Sequence, residues 1–486
     1  MNSASGALVS EAPALDNGQL RLVLVSMCLA LGTVVSAVSS LNVALPDLAR
    51  DLGASSTELQ WIVDAYAVVF AGLLLLSGAI GDNLGRKPVL LAGLAVFAAA
   101  AAAALAVDSA SGLIAVRAAM GLGAAAIMPA TLSIITNAFP PGERDRAVSI
   151  WAGVAGGSAL LGLLVSGILL ELFAWESVFA FSAVLGLVAL LAAARVAPNS
   201  KLDRARLDAV GGVLSALALS TLVFAIIEGP ERGWGDPLTV AAFAAAAVLG
   251  LAFVAGELRR DEPLLDPRLF RLAGFGAGTA SIAAQFFSFF GFVFVILQYV
   301  QFVLGYSPLG AGLALAPMAV LMMGLSPRVP RLLGRFGPAR VGSLGLLLMA
   351  AGFLVFSGGG VDSTYWLILA GVVLLGLGAA LATTPATAAI VASLPAAKQG
   401  VASAVNDAAR EVGGALGIAV LGSALTSRFD GVGEHAGGIP AQLPAAAQAA
   451  FVDGLGLAMT IGAIAVALAA VFVFWRAPNQ VEEGGS

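Results

Sequence analysis

The chain reads as an all-α polytopic membrane protein with fourteen transmembrane helices, and three observations predict it. Hydrophobic residues make up 59% of the 486 and charged residues 11%, with a mean hydropathy of +0.98. That leaves too little polar surface to cover a water-soluble body of this size. The apolar residues fall into fourteen runs, each long enough to cross about 30 Å of hydrocarbon. With both termini placed on the cytoplasmic side, nineteen of the 24 Lys and Arg lie in cytoplasmic termini and loops. Arg117 and Arg410 lie within runs, and Arg50, Arg232 and Arg428 fall on the far side, a strong positive-inside pattern.

The first run, roughly 21–45, ends in Leu41-Asn42-Val43-Ala44-Leu45-Pro46. Residues 1–20 form a cytoplasmic segment without the basic start and cleavage site of a signal peptide, so this run is retained as a helix. The second run, 59–80, opens with Trp61-Ile62-Val63-Asp64-Ala65-Tyr66 and leads into the charged turn Gly81-Asp82-Asn83-Leu84-Gly85-Arg86-Lys87. Two glycines there let helix ends approach closely, Asp82 can meet a neighbouring helix N-terminus, and Arg86 and Lys87 hold the turn on the cytoplasmic side. Runs three to six follow at 88–107, 111–137, 146–172 and 176–197, closing a first bundle over 21–197.

Runs seven and eight, 209–229 and 238–257, are flanked by the most basic connectors and read as a pair inserted over 198–274. Runs nine to fourteen, at 275–303, 309–328, 340–358, 364–391, 399–425 and 449–475, form a second bundle over 275–475, followed by a cytoplasmic tail, 476–486. Within it Arg331-Leu332-Leu333-Gly334-Arg335-Phe336-Gly337 sits where the Gly81–Lys87 turn sits in the first bundle, as a decayed copy. Paired bundles around a midplane cavity are the plan of alternating access.

Composition also excludes function classes. The net charge of −5 is spread over short loops, with no nucleic-acid footprint. One cysteine, Cys28, and one histidine, His435, supply neither a disulfide framework nor a metal or haem ligand set. No nucleophile–base pair or phosphate loop is present, so neither an enzyme nor a cofactor site is expected.

The charges inside the runs are Asp64, Arg117, Asp407, Arg410 and Glu411. Each is a functional hypothesis, because inserting such a group costs several kcal/mol unless it is paired or hydrated. Arg117 and Asp64 are about equally deep, roughly 9 Å below the outer surface at about 1.5 Å per residue. Asp64 is thus the expected counter-ion of Arg117, either as a static pair or as one that exchanges a proton. In run thirteen Asp407 and Glu411 share a face, and Arg410 lies three residues from Asp407 and four from Asn406. One negative charge is left over, which suits a proton carrier, although a hydrated face near Lys398 reads equally well. Glu228, at the outer end of run seven, reads as interfacial.

Run nine carries Gln285-Phe286-Phe287-Ser288-Phe289-Phe290. Gln285, Phe286 and Phe290 share a helical face and are expected to line a pocket for large lipophilic ligands. Pro129, Pro317 and Pro385 mark flexing points in runs four, ten and twelve.

The Gly81–Lys87 turn resembles the loop between the second and third helices of the major facilitator superfamily, and the fourteen-helix plan resembles its fourteen-helix drug:proton antiporter family. Leu41–Pro46, Trp61–Tyr66, Arg117 with Gly121-Leu122-Gly123-Ala124-Ala125, and Asn406, Arg410 and Gly413-Gly414-Ala415-Leu416-Gly417 extend the resemblance along the whole chain. It implies gating by Gly81, Asp82, Gly85, Arg86, Lys87, Gly162 and Gly167, and a substrate pocket that includes Asn42 and Asn406. Two departures stand out. Ala37 occupies the position where related transporters carry a helix-one aspartate, and Leu163 and Ser166 replace a proline and a glycine of the helix-five motif. The implied function is proton-coupled export of a lipophilic compound from the cytoplasm of a bacterium across its plasma membrane, with lipid as a further candidate substrate and a monomer surrounded by membrane lipids. A lipid or metabolite transporter with weak or no proton coupling, and a non-transporting sensor or scaffold, are the alternatives.

Overall fold

The computed structural model describes residues 15–54, 56–200, 208–260, 263–395, 398–428 and 445–477. All regular structure among them is helical, as a bilayer demands, since every backbone N–H and C=O must be satisfied without water. The first six helices are α1 (Asn17–Leu52), α2 (Ser56–Leu84), α3 (Arg86–Ala103), α4 (Ala110–Ala138), α5 (Pro141–Leu172) and α6 (Glu176–Val196). Next come α7 (Ala209–Arg232) and α8 (Pro237–Glu257). The last group is α9 (Ala273–Gln298), α10 (Pro308–Leu325), α11 (Val329–Phe336), α12 (Pro338–Ser357), α13 (Tyr365–Ala392), α14 (Gln399–Thr426) and α15 (Ala445–Arg476). These make fourteen spans, because α10 and α11 are one crossing, Leu309–Phe336, joined by a 3-10 turn at Ser326–Arg328.

Local chemistry sets many helix ends. Asp16 and Gln19 form a reciprocal capping box at the start of α1, and Ser109, Asp208, Asp236 and Ser307 cap α4, α7, α8 and α10. Pro237 and Pro338 occupy first helical positions, where a missing N–H costs nothing. The expected loop Arg331–Phe336 is instead the helix α11, and only Gly337, at φ 82°, turns the chain into α12. The first turn behaves the same way, since Gly81–Leu84 belong to α2 and only Gly85, at φ 112°, separates them from α3. Pro129, Pro317 and Pro385 all lie within continuous helices.

The helix ends that carry the α2–α3 turn define one face of the molecule, called the basic face below. A first apolar core unites α1 to α6 around Leu31, Phe97, Ile127 and Trp151. A second unites α9, α10 and α12 to α15 around Phe292, Phe353, Phe356 and Phe451. Outward-facing Val25, Leu251, Val320 and Leu468 are more than half exposed, as side chains facing lipid are.

The halves meet along two seams. At α2–α14 a Cβ on Gly78 would stand 2.5 Å from the carbonyl oxygen of Gly400, so the backbones touch there. At α5–α10 a Cβ on Gly153 would meet Ser326, just past the end of α10, and Cβ atoms on Gly156 and Gly157 would meet Met322 and Met323. The pair α7–α8 lies against the first seam. Ser220 donates to the Val68 carbonyl at 3.1 Å and Trp61 stacks on Phe224 with centroids 5.8 Å apart. A third cluster joins Leu75 and Ala79 of α2, Phe253 of α8, Leu264 and Leu265 of the following connector, and Val401 and Val405 of α14.

Candidate functional site

The basic face is held shut at the α2–α14 seam. The Gly400 and Val401 N–H groups donate to Asp82 Oδ1 and Oδ2 at 3.0 and 3.2 Å. Arg86 donates to the same carboxylate from Nε at 3.0 Å and from its terminal nitrogen at 2.8 Å. Both side chains are 3% exposed. A carboxylate on the first turn of α14 meets unpaired backbone donors and the positive end of the helix dipole, so this contact is strong without a cation from α14. Gln399 donates to the Val391 and Leu394 carbonyls, which fastens the end of α13 to the same corner.

Gly85 adopts φ 112°, where a side chain would be strained, and a Cβ on it would meet Asn199 at 2.7 Å. Lys87 is half-buried beside it. Gly81 does not make the close approach expected of it. Nothing lies within 4 Å of its notional Cβ, and the helices touch one turn earlier, at Gly78. Gly162 meets α1, where a Cβ would lie 2.8 Å from the Ser36 Cα, whereas Gly167 has open space around it. The α1–α5 contact therefore rests on Gly162 and not on Gly167.

The run-thirteen cluster lies on α14. Asn406, Asp407 and Arg410 are all buried, at 0%, 0% and 3% exposure, so the hydrated-face reading fails for these three. Thr387 of α13 donates to Asn406 Oδ1 at 3.1 Å, and Asn406 donates to Asp407 at 3.4 Å. Arg410 approaches Asp407 only to 3.9 Å, too long for a hydrogen bond. Its guanidinium lies between two aromatic faces, 4.7 Å from the Trp151 ring of α5 and 4.9 Å from Phe286 of α9. Arg410 Nε and one terminal nitrogen, and Asp407 Oδ2, have no hydrogen-bond partner. Glu411 is half-buried and in electrostatic reach of both, without an ion pair to Arg410.

Phe286 and Phe290 face each other at 5.9 Å, and Phe290 packs over Gly414 of α14. Gln285 parts from them. It accepts from Thr383 of α13 at 2.5 Å and donates to Ser281, so its amide is used in joining helices. The side chain of Asn42 lies outside the described residues, as does His435.

The expected Arg117–Asp64 ion pair is not formed. Arg117 donates Nε to the Ile62 carbonyl at 3.0 Å and lies 4.4 Å over the Tyr66 ring. Ile62 and Tyr66 share a face of α2, and Asp64 stands roughly 200° around the helix from both at about 100° per residue. Asp64 therefore points towards α7, where Glu228 and Glu231 are its first electrostatic neighbours. Glu228, expected at the interface, is 4% exposed and paired with Arg232 one turn on.

Sequence reasoning missed Trp151, whose indole donates to Thr131 of α4 at 3.1 Å and is thereby fixed under Arg410. The sequence carried no signal for it, since Trp151 is only the sixth residue of run 146–172, near the membrane edge where tryptophans gather. It also missed Gly78 and the role of Tyr66. Among the described residues no group of three His, Cys, Asp or Glu side chains is placed to hold a metal ion.

The sequence model of the Major Facilitator Superfamily matches residues 24–418 and, in a second match, 279–483. The tetracenomycin C resistance and export protein of Streptomyces glaucescens is 34% identical, over 93% of this chain and 91% of its own. The multidrug efflux pump LfrA of Mycolicibacterium smegmatis is 39% identical, over 86% and 84%. The human organic anion transporter MFSD10 superposes with a TM-score of 0.63 at 17% identity, over 93% of this chain and 99% of its own, a likeness that carries the fold alone.

Proposed function

Because the chain belongs to the major facilitator superfamily, we propose that it is a secondary active transporter, not an enzyme, that exports lipophilic small molecules from a bacterial cytoplasm in exchange for protons. The basic face is then cytoplasmic, with both termini on that side. Two relatives are by name an export protein and an efflux pump, which supports the direction and the class of cargo.

The observation that carries the reading is the buried Asp407–Arg410 pair, 3.9 Å apart, with the Arg410 guanidinium against Trp151 and Phe286 on helices of opposite halves. A group so placed feels any rocking of α5 against α9 and α14. With one guanidinium near two carboxylates, a proton on Asp407 or Glu411 releases Arg410, and deprotonation draws it back. Substrate entering between Phe286, Phe290 and Trp151 competes for the same space, so proton and cargo alternate. Asp82 and Arg86 hold the cytoplasmic end closed while the outer end is open, Gly78 lets the α2–α14 seam slide as a backbone surface, and Gly162 keeps α1 against α5 within the first half. Asp64 is the second candidate for proton traffic, on the α7 side of α2, and Arg117 ties α4 to α2.

A weakly coupled transporter is favoured by one observation, Ala37, which is buried in the apolar core of the first half where related transporters carry a carboxylate. Transport into proteoliposomes with and without a pH gradient decides between the two. Gradient-dependent accumulation supports exchange with protons, and equal rates under both conditions support the uncoupled form.

A further inference from the structure

The inserted pair α7–α8 makes contacts that a mere spacer between two bundles would not need. α7 is attached to α2 by the Ser220–Val68 hydrogen bond and the Trp61–Phe224 stack, and at the far end the turn after it donates from Trp234 to Ser423 of α14 at 3.3 Å. At the basic end Asp208, the cap of α7, is ion-paired to Arg260, which also stands 4.0 Å from Glu257 at the end of α8. Glu257 is 2% exposed and accepts from the Leu265 N–H at 3.2 Å, fixing the connector after α8. That connector buries Leu264 and Leu265 in the α2–α14 seam. Its Pro263 carbonyl accepts from Lys398 Nζ at 2.9 Å. Lys398 is the residue at the N-terminus of α14, immediately before the Gln399-Gly400-Val401 corner that holds Asp82.

Lys398 is also misplaced by ordinary helix electrostatics, because a cation at a helix N-terminus opposes the dipole. Its bond to Pro263, with Glu257 in electrostatic reach, accounts for the position. We infer that the inserted pair supplies a second latch on the basic face, in which Asp208, Arg260, Glu257 and the connector at Pro263 link α7, attached to α2, to Lys398 on α14. The inference rests on the alternating-access reading and gives the two additional helices a part in it. They hold the α2–α14 seam closed in parallel with Asp82, so opening towards the cytoplasm requires two separate sets of bonds to break.

The test uses the full chain in lipid nanodiscs, without substrate or gradient, on a Cys28→Ser background. Spin labels at Leu84→Cys and Phe336→Cys report the basic face, and labels at Leu105→Cys and Val361→Cys report the opposite one. Lys398→Met and Arg260→Gln should each raise the population with separated basic-face labels about fivefold, the scale of one lost hydrogen bond to a charged group. Combining them should add nothing, since they break one chain of bonds, whereas adding Asp82→Asn should multiply the effect. Lys398→Arg, which can still donate to Pro263, should behave as the parent. A parental distance distribution in Lys398→Met, or equal disruption by Lys398→Arg, overturns the second latch. Were Lys398→Met not to fold, Arg260→Gln carries the same prediction and the same refutation. Because no cargo enters the measurement, a chain that shows these shifts yet fails to export leaves the latch standing and refutes the export reading instead.

Discussion

Asp82 of α2 accepts hydrogen bonds from the backbone N–H groups of Gly400 and Val401 on α14, 318 and 319 residues away, and from no side chain of that helix. The closed basic face thus depends on a charge meeting a helix end. Asp82→Asn keeps the shape and removes the charge. It should lower the export rate about tenfold, the equivalent of one charge-assisted hydrogen bond, and leave substrate Kd within about twofold. Rates and affinities of the purified variant check this, and a parental rate would show that the contact does not limit cycling.

Gly78 and Gly81 are one turn apart but differ in what surrounds them. A Cβ on Gly78 would stand 2.5 Å from the Gly400 carbonyl oxygen, and one on Gly81 would meet nothing within 4 Å. Gly78→Val should therefore destabilise the closed seam by about 1–3 kcal/mol, the usual cost of overpacking, and Gly81→Ala should be neutral. Crosslinking between the basic ends of α2 and α14 reads the difference. Equal crosslinking yields in the two variants would contradict the backbone contact.

Arg117 is held by the Ile62 carbonyl and the Tyr66 ring. Tyr66→Leu should cost about 1–2 kcal/mol of stability, the worth of a desolvated cation–π contact with its ring burial. Asp64→Asn should change thermal stability by less than about 0.5 kcal/mol, as side chains away from such contacts do. Thermal unfolding in detergent checks both. A large loss in Asp64→Asn alone would restore the ion pair that the structure lacks.

These cases show what was legible in the sequence and what was not. The spans were readable, because hydropathy reports the solvent and the bilayer sets the length. So was the Asp82–Arg86 turn, whose charges are conspicuous in so apolar a chain. The facing of individual residues was not. A helix apolar all round has no amphipathic stripe to mark its packed side, so nothing in the order of residues placed Asp64 towards α7, Gly78 at the seam or Trp151 under Arg410. Gln285 stands only about 100° around the helix from Phe286, so spacing alone does not separate its face from that of Phe286 and Phe290. The extension of span ten through Arg331–Phe336 escaped notice because a basic amphipathic segment at the membrane edge reads as a loop.

Asp407 and Glu411 are the carboxylates in electrostatic reach of Arg410, Asp407 at 3.9 Å. Asp407→Asn or Glu411→Gln should abolish gradient-driven accumulation, whichever carries the proton, while downhill exchange survives because Phe286, Phe290, Trp151 and the seams are untouched. Counterflow and gradient-driven uptake measured on the same preparation separate the two. Full driven transport in both variants, and in Asp64→Asn, would leave Glu228 as the remaining carboxylate.

The most direct test of the account as a whole is uptake of lipophilic dyes, ethidium among them, into proteoliposomes holding the purified chain and an acidic lumen. Ethidium is a permanent cation and is not trapped by pH alone. The account predicts accumulation against the dye gradient that stops when the pH gradient is collapsed with an ionophore. Uptake at the same rate with the gradient collapsed would contradict proton exchange, and no uptake of any dye would contradict the export of lipophilic compounds.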